Sequence, residues 1–469
     1  MPRRGKKFLC TTRRGYTAST TPAVNRARQR HKGKSVSDPV QLSKNIARLS
    51  RLELPGAGQV CVAGKYAYVG HIPNKAQLGT SIVDISDPRK PVVVSQIHLD
   101  DPESHTHKAR VVGDIMVVNN ERNMTRIGRK AEELPGLRAR LRETLGRDAT
   151  HAELAHALNV DAADIPKVEE AERRPYDRGG FKVYDISDKT RPRLLVHQKT
   201  GGIGVHRFDM DENYAYISTE MDGYVGNILV TYDIRDPSRP EEVSRWWIPG
   251  QHIAGGETPA WSGRRNRLHH ALRYGDELWA GLWHGGVAVI DVKDIRKPAT
   301  LGSFNYHPPF PEPSHTFMPL EQPIGGRRIA LAIDEEDHAH DDEELDRRRG
   351  RPHGCLWVLD VTDLSNIKAL SSYEVSELDS PWSRATPGRF GAHQFQEQRR
   401  GTLVYCAWFA GGLRVVDVAN PMSPREAGYF IPHPAAGKAA PQTNDVFVDD
   451  QHRIYMVDRY AGFDILEHT

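Results

Sequence analysis

Histidine recurs in this sequence where a β-strand would be expected to place small or apolar residues. It stands at His107 in SHTHKARVVGDIMVV, His206 in GIGVHRFDM, His269 in NRLHHALRYGDELWAG, His315 in PSHTFMPL and His393 in GAHQFQEQRRGTLVYCAW. His206 lies eight residues before Tyr214, and the same interval separates His107 from Ile115 and His269 from Glu277. Neutral imidazole is a good ligand for borderline transition metals. One buried histidine is more often a hydrogen-bonding element of a core than a ligand, but five in one register predict convergence on a common point. The expectation is therefore a metal held by His107, His206, His269, His315 and His393, with no carboxylate interleaved. A tetrahedral site needs only four ligands, so at least one of the five is left to orient a ligand or carry a proton. Iron(II), with open positions in a histidine shell, is the leading metal; copper, manganese and zinc are alternatives.

Other polar residues stand where a second, antiparallel strand returns to the face on which the histidines begin. These are His71 in VGHIPN, Glu121 in VVNNER, Glu220 in ISTEMDG, Glu335 or Glu336 in AIDEED, Trp283 and His284 in GLWHGG, Trp408 in CAWFAGG and Arg459 in VDRYAG. Acids there are placed to accept the outer N–H of a metal-bound imidazole, fixing its tautomer; blade-to-blade salt bridges would use the same positions. Glu121, Glu220, His270 and His284 are the candidate catalytic groups. His338 and His340, in DEEDHAHDDEELDRRRGR, read as solvated loop residues. No GxSxG, P-loop, dinucleotide fingerprint or HExxH occurs, which disfavours the commonest serine hydrolases, nucleotide enzymes and zinc proteases.

A repeat must position these side chains. GTSIVDISDPRKPVVVSQIHL, GGFKVYDISDKTRPRLLVHQKT, GNILVTYDIRDPSRPEEVSRWWI, GGVAVIDVKDIRKPATLGSF, GCLWVLDVTDLSNIKALSSYEV and GGLRVVDVANPMSPREAGYFI each read as glycine, an alternating strand ending in Asp, a turn and a second strand. With another strand pair before each, the pattern predicts an all-β, seven-bladed β-propeller over 45–469. Its blades fall near 57–101, 104–200, 203–249, 266–307, 313–376, 390–433 and 441–467. The last blade lacks an outer strand, which NIARLSRLELPG, 45–56, is expected to supply, closing the ring. Segment 122–178 has helical spacing and a Thr150-x-x-Glu153 capping box, and is expected to form a helical cap inserted in the second blade. Segment 334–351 is a charged loop insertion.

Strands such as GGVAVIDV and GGLRVVDV resemble those of the LVIVD-repeat β-propellers over 57–467 outside the insertions. In ring size and central histidines the pattern is more distantly similar to the selenium-binding protein and methanethiol oxidase group, and to the carotenoid cleavage oxygenases. The latter resemblance implies seven blades and an iron held by four histidines from different blades.

The chain has 469 residues and a formal net charge of +3, too near neutral to imply a nucleic-acid partner. Basic charge is concentrated in residues 1–44, expected to be a flexible extension. Cys10, Cys61, Cys355 and Cys406 are widely spaced and read as reduced thiols. With no secretory leader and no apolar run of membrane-spanning length, the expected location is the cytoplasm. The leading expectation is a metal-dependent oxygenase or oxidase acting on a small organic molecule, with oligomerisation left open. The alternatives are a redox-neutral metal-dependent hydrolase or lyase, and a non-catalytic protein-interaction propeller.

Overall fold

The computed structural model describes residues 42–123, 126–158, 160–173, 176–261, 265–337 and 351–469. The basic segment through residue 41, with Cys10, and the loop carrying His338 and His340 lie outside the described residues.

Antiparallel pairing groups the strands into consecutive meanders. Ala57–Ala63, Tyr66–His71, Leu78–Asp84 and Val92–His98 pair in that order. The order recurs in the meanders that begin with Gly201–Met210, Asn266–Tyr274, Ser314–Pro319 and Ala392–Phe395. In the meander after the first, the leading strand is split into Ser104–His105 and Ala109–Val112, both paired to Ile115–Arg122. In the last, Thr443–Val448, Ile454–Asp458 and Gly462–His468 are joined by Ile46–Leu52 from the other end of the described chain, Ile46 opposite His468 and Leu52 opposite Phe463.

The turn after each third strand repeats because its chemistry repeats. Asp84, Asp185, Asp233, Asp291, Asp360 and Asp417 each accept the backbone N–H two residues on, at 2.8–3.0 Å. Such Asx turns end a strand by offering the backbone a local acceptor in place of the next ladder bond.

Burial of the alternating apolar residues joins each meander to the next. Val117, Phe181 and Val183 pack against Phe208, Ile217 and Val230, and Tyr216 and Leu229 against Leu278 and Ile290. The series also joins last to first, with Val60, Val69 and Val83 against Tyr455, Val457 and Phe463. Among the described residues the domain is all-β and β-propeller-like except for three α-helices, α1 (Arg126–Leu145), α2 (His151–Leu158) and α3 (Ile165–Arg173), and short 3-10 turns. They bury Leu134, Leu154, Leu158, Ile165 and Val168 against one another, a core of their own. The Thr150–Glu153 capping box forms in both directions: the Thr150 N–H donates to Glu153 Oε2 (2.8 Å) and the Glu153 N–H to Thr150 Oγ1 (3.3 Å). No helix among the described residues is long and apolar enough to cross a membrane.

Candidate metal centre

A β-bulge at the same place in each leading strand aims the histidines. Val205 and Arg207 oppose consecutive residues of the partner strand, which leaves His206 unpaired between them. His315, His393, Asn444 and Gly58 are skipped in the same way. Around His107 and His269 the strands are likewise irregular, with extra residues between His105 and Ala109 and between Asn266 and His270. A bulge breaks the two-residue alternation and re-aims the side chains around it. Polar pairs thus enter the interior at 107/108, 206/207, 269/270, 315/316 and 393/394, and all but His206 are buried. The neighbouring strand must come close for this to work. A β-carbon at Gly281 would overlap the carbonyl of His315, so only glycine fits there.

The imidazoles form a continuous arc. Ring centroids are 5.1 Å apart from His107 to His206, 4.7 Å to His269, 4.3 Å to His315 and 4.6 Å to His393, and His105 lies 5.0 Å from His107. Two carboxylates are interleaved, contrary to the expectation of a histidine-only shell: both come from second-strand ends, which the turn folds back onto the bulges. Glu121 faces His206 Nδ1 (2.9 Å), His105 Nε2 (3.2 Å) and His107 Nδ1 (3.8 Å). Glu335 lies 3.9 Å from Nε2 of His269 and of His315, 3.8 Å from that of His393, and 2.6 Å from Arg389 Nη1. Burial alone would raise Glu335, but His393, Arg389 and Arg459 overcome it and hold the carboxyl down to about 2.

Hydrogen bonds sort the histidines by tautomer. Nδ1–H of His206 donates to Glu121, that of His269 to the His315 carbonyl (3.2 Å), and that of His393 to the Asn444 carbonyl. Each keeps an Nε2 lone pair turned inward, as outer-shell acceptors arrange for a ligand. His206 Nε2 and His269 Nε2 are 2.9 Å apart. Two lone pairs at that distance repel unless a cation lies with them, either a proton on His206 or a metal ion. Two ligands each about 2.1 Å from one ion in cis positions stand about 3 Å apart, which matches. His315 Nε2 accepts from Arg207 Nη2 at 2.9 Å, so Arg207 and a metal compete for that lone pair. At His107, Asn119 Nδ2 donates to Nδ1 (3.0 Å), which puts the proton on Nε2; with His105 and Glu121, whose ligand atoms lie within 4.8 Å of its own, it forms a second group able to hold an ion. The amide cannot flip without cost, because Asn119 also donates to the Val205 carbonyl and accepts from the Lys108 N–H.

Directly beneath lies a second polar layer. Arg207 Nη1 donates to Gln394 Oε1 (2.7 Å), and Lys108 Nζ lies 2.8 Å from His270 Nε2 and 3.0 Å from Glu397 Oε1. Burial holds the Lys108 ammonium well below its ordinary range and pushes Asp445 up to about 6. His270 belongs to this layer rather than to the arc. Of the other candidates, Glu220 instead accepts the Ile203 N–H (3.2 Å), and Nδ1 of His284 accepts from the Arg265 N–H (3.2 Å). Trp283 has a positive φ of 57°, which turns the chain so that its own ring stacks on His269 (4.8 Å) while His284 is carried away. Of the two acids left open at the end of that strand, Glu335 faces the arc and Glu336 pairs with His353 (2.8 Å). Lys108, Arg207 and Asn119 escaped the sequence reading. The signal for Lys108 and Arg207 was the polar residue directly after each histidine, HK, HR, HH, HT and HQ, in strands that otherwise alternate; Asn119, on the second strand, carried no such mark.

Stacked four-stranded meanders around an interior histidine arc define a β-propeller-like protein with a candidate metal centre. The LVIVD repeat matches residues 56–98, 209–246 and 400–431, and the chain carries these three LVIVD repeats. No curated protein matches at a significant level. Among solved structures, a "putative 6-phosphogluconolactonase from Bacteroides uniformis ATCC 8492" is similar at 11% identity and TM-score 0.50, covering 86% of this chain and 94% of its own. The computationally designed Ika8 protein matches at 10% identity and TM-score 0.43, over 89% of this chain and 98% of its own. At this identity the first likeness speaks to fold alone.

Proposed function

We propose that the chain is a seven-bladed ring, closed by Ile46–Leu52, that holds a transition metal on its axis and uses it for oxygenase or oxidase chemistry on a small organic substrate. The observation that carries the reading is the inward convergence of Nε2 atoms, His206 and His269 2.9 Å apart, beside Glu335. Ring closure is supported by the pairing of Ile46–Leu52 with Gly462–His468 and by the apolar cluster joining last meander to first.

His269, His315 and Glu335 bring their ligand atoms within 4.8 Å of one another, with His206 adjoining on one side and His393 on the other. Two imidazoles and one carboxylate with positions left open is the donor set of non-haem iron(II) oxygenases. Iron(II) bound there would supply one-electron chemistry and sites for dioxygen and substrate. The chain supplies the setting. Glu121 and the carbonyls of His315 and Asn444 fix the imidazole tautomers. Trp283, stacked on His269, and Phe409, stacked on His393 (4.7 Å), wall the arc on two sides. Nitric oxide serves as the probe, because it binds high-spin iron(II) only where a position is open. Protein reconstituted anaerobically with iron(II) is expected to give the S = 3/2 paramagnetic resonance signal of such an adduct, and His269→Ala to lack it. Iron-loaded protein with no adduct would overturn the oxygen chemistry while leaving the metal site standing.

A further inference from the structure

Four guanidiniums, of Arg207, Arg267, Arg389 and Arg459, surround the arc; Glu121 and Glu335 contact its histidines, while Asp445 attracts Arg207 and Glu220 attracts Arg267 from farther off. Glu121 is taken by histidine N–H groups, and Glu335 binds Arg389. Arg267 is the outlier. Among the described residues its guanidinium has no hydrogen-bond or ion-pair partner, and its Nε is buried without one. It is held only over the face of Trp283, 5.0 Å from the ring centroid, and Trp283 in turn stacks on His269. Arg459 donates through Nε to Asn444 Oδ1 (2.5 Å) and lies 5.5 Å over Phe409, again with no carboxylate contact among the described residues. A half-buried cation with no carboxylate in contact is costly, and any divalent metal in the arc would add to the positive charge around it. A planar guanidinium held against an aromatic face is preorganised to grip an oxyanion through two parallel N–H bonds.

We propose that the substrate is a small organic oxyanion, its carboxylate gripped by Arg267 beside Trp283 and its remainder directed to the arc at His269. This deepens the proposed function and rests on it for the reaction, but the anion site itself needs no metal. Arg459 adds charge on the far side of the arc without gripping the ligand.

Succinate, its neutral analogue succinamide, and inorganic phosphate are the probes, titrated calorimetrically into chelator-treated protein and again into metal-loaded protein. Succinate is expected to saturate metal-free wild type, succinamide to show no binding, and Arg267→Gln to weaken succinate at least tenfold with metal content unchanged. Arg267→Lys, which keeps the charge but not the fork, should recover part of the loss. Phosphate binding more tightly than succinate would replace the carboxylate by a phosphate ester as the recognised group. Succinate and succinamide binding alike, no saturable binding of either anion to wild type, or an Arg267→Gln titration equal to wild type would each overturn the site. Loss of metal binding with succinate binding intact would instead count against the proposed metal reading alone.

Discussion

At the level of single residues, what separates one histidine from another is where the proton sits. His206, His269 and His393 give their Nδ1–H to oxygen acceptors, whereas His107 receives an amide N–H at the same atom. Replacing His269 by Ala is therefore expected to lower metal occupancy at least tenfold, and His107→Ala to leave it within about twofold, both read by elemental analysis of folded protein. Equal losses at the two positions would show that tautomer does not select the ligands. The histidines were legible in the sequence because a repeat displays them at a constant interval. The tautomers were not, since they depend on partners such as Asn119 and Asn444 that meet them only in the folded chain. Glu220 and His284 were misplaced because strand-end position gives which face a residue reaches, not which way the following turn points its side chain. The positive φ of Trp283 makes that difference for His284.

At the level of elements, the bulge is the device that turns a repeat into a site. Each bulge needs the neighbouring strand close by, and Gly281 permits this at His315. Gly281→Ala must displace the His315 backbone. The expected cost is roughly 1–3 kcal/mol in urea unfolding, with loss of metal occupancy; a variant with wild-type stability and full occupancy would show that the close approach is not needed. A second element-level contact is the clasp of His353 by Glu336 (2.8 Å) and Glu377 (3.2 Å). Burial alone would lower His353, but the hydrogen bond and charge of Glu336, then the bond to Glu377, outweigh it and raise the group from 6.5 to about 9. The protonated clasp stabilises the fold fully below pH 6.5, and that contribution is lost as pH rises through 9. The loss is about 3 kcal/mol. Wild type is expected to lose that much more than His353→Asn between pH 6 and 10, and parallel pH profiles would remove the clasp as a contributor. The repeated strand, Asp-turn, strand pattern was visible in the sequence because local chemistry writes it. The bulges were hidden, since a pair such as His206-Arg207 departs from alternation by only one residue.

At the level of the whole molecule, Ile46–Leu52 pairs with Gly462–His468; Ile46 is buried against Leu413 and Val415 of the preceding meander, and Leu54, just beyond the strand, against Val457 and Phe463. A chain beginning at residue 55 is expected to lose roughly 5 °C or more in Tm and to associate through the bared edge. Unchanged Tm and a monodisperse sedimentation profile would show that the strand is dispensable. The sequence made this pairing readable through an incomplete last repeat, whereas the gathering of Arg207, Arg267, Arg389 and Arg459 around the histidines emerges only in the folded chain. The central claim is that this convergence exists to hold a metal. It is tested most directly by elemental analysis of untagged protein after anaerobic incubation with iron(II) and desalting, beside the double variant His206→Ala, His269→Ala. The account expects one equivalent per chain in wild type and less than a tenth of that in the double variant. Wild type without metal, or a double variant as fully loaded as wild type, would contradict it.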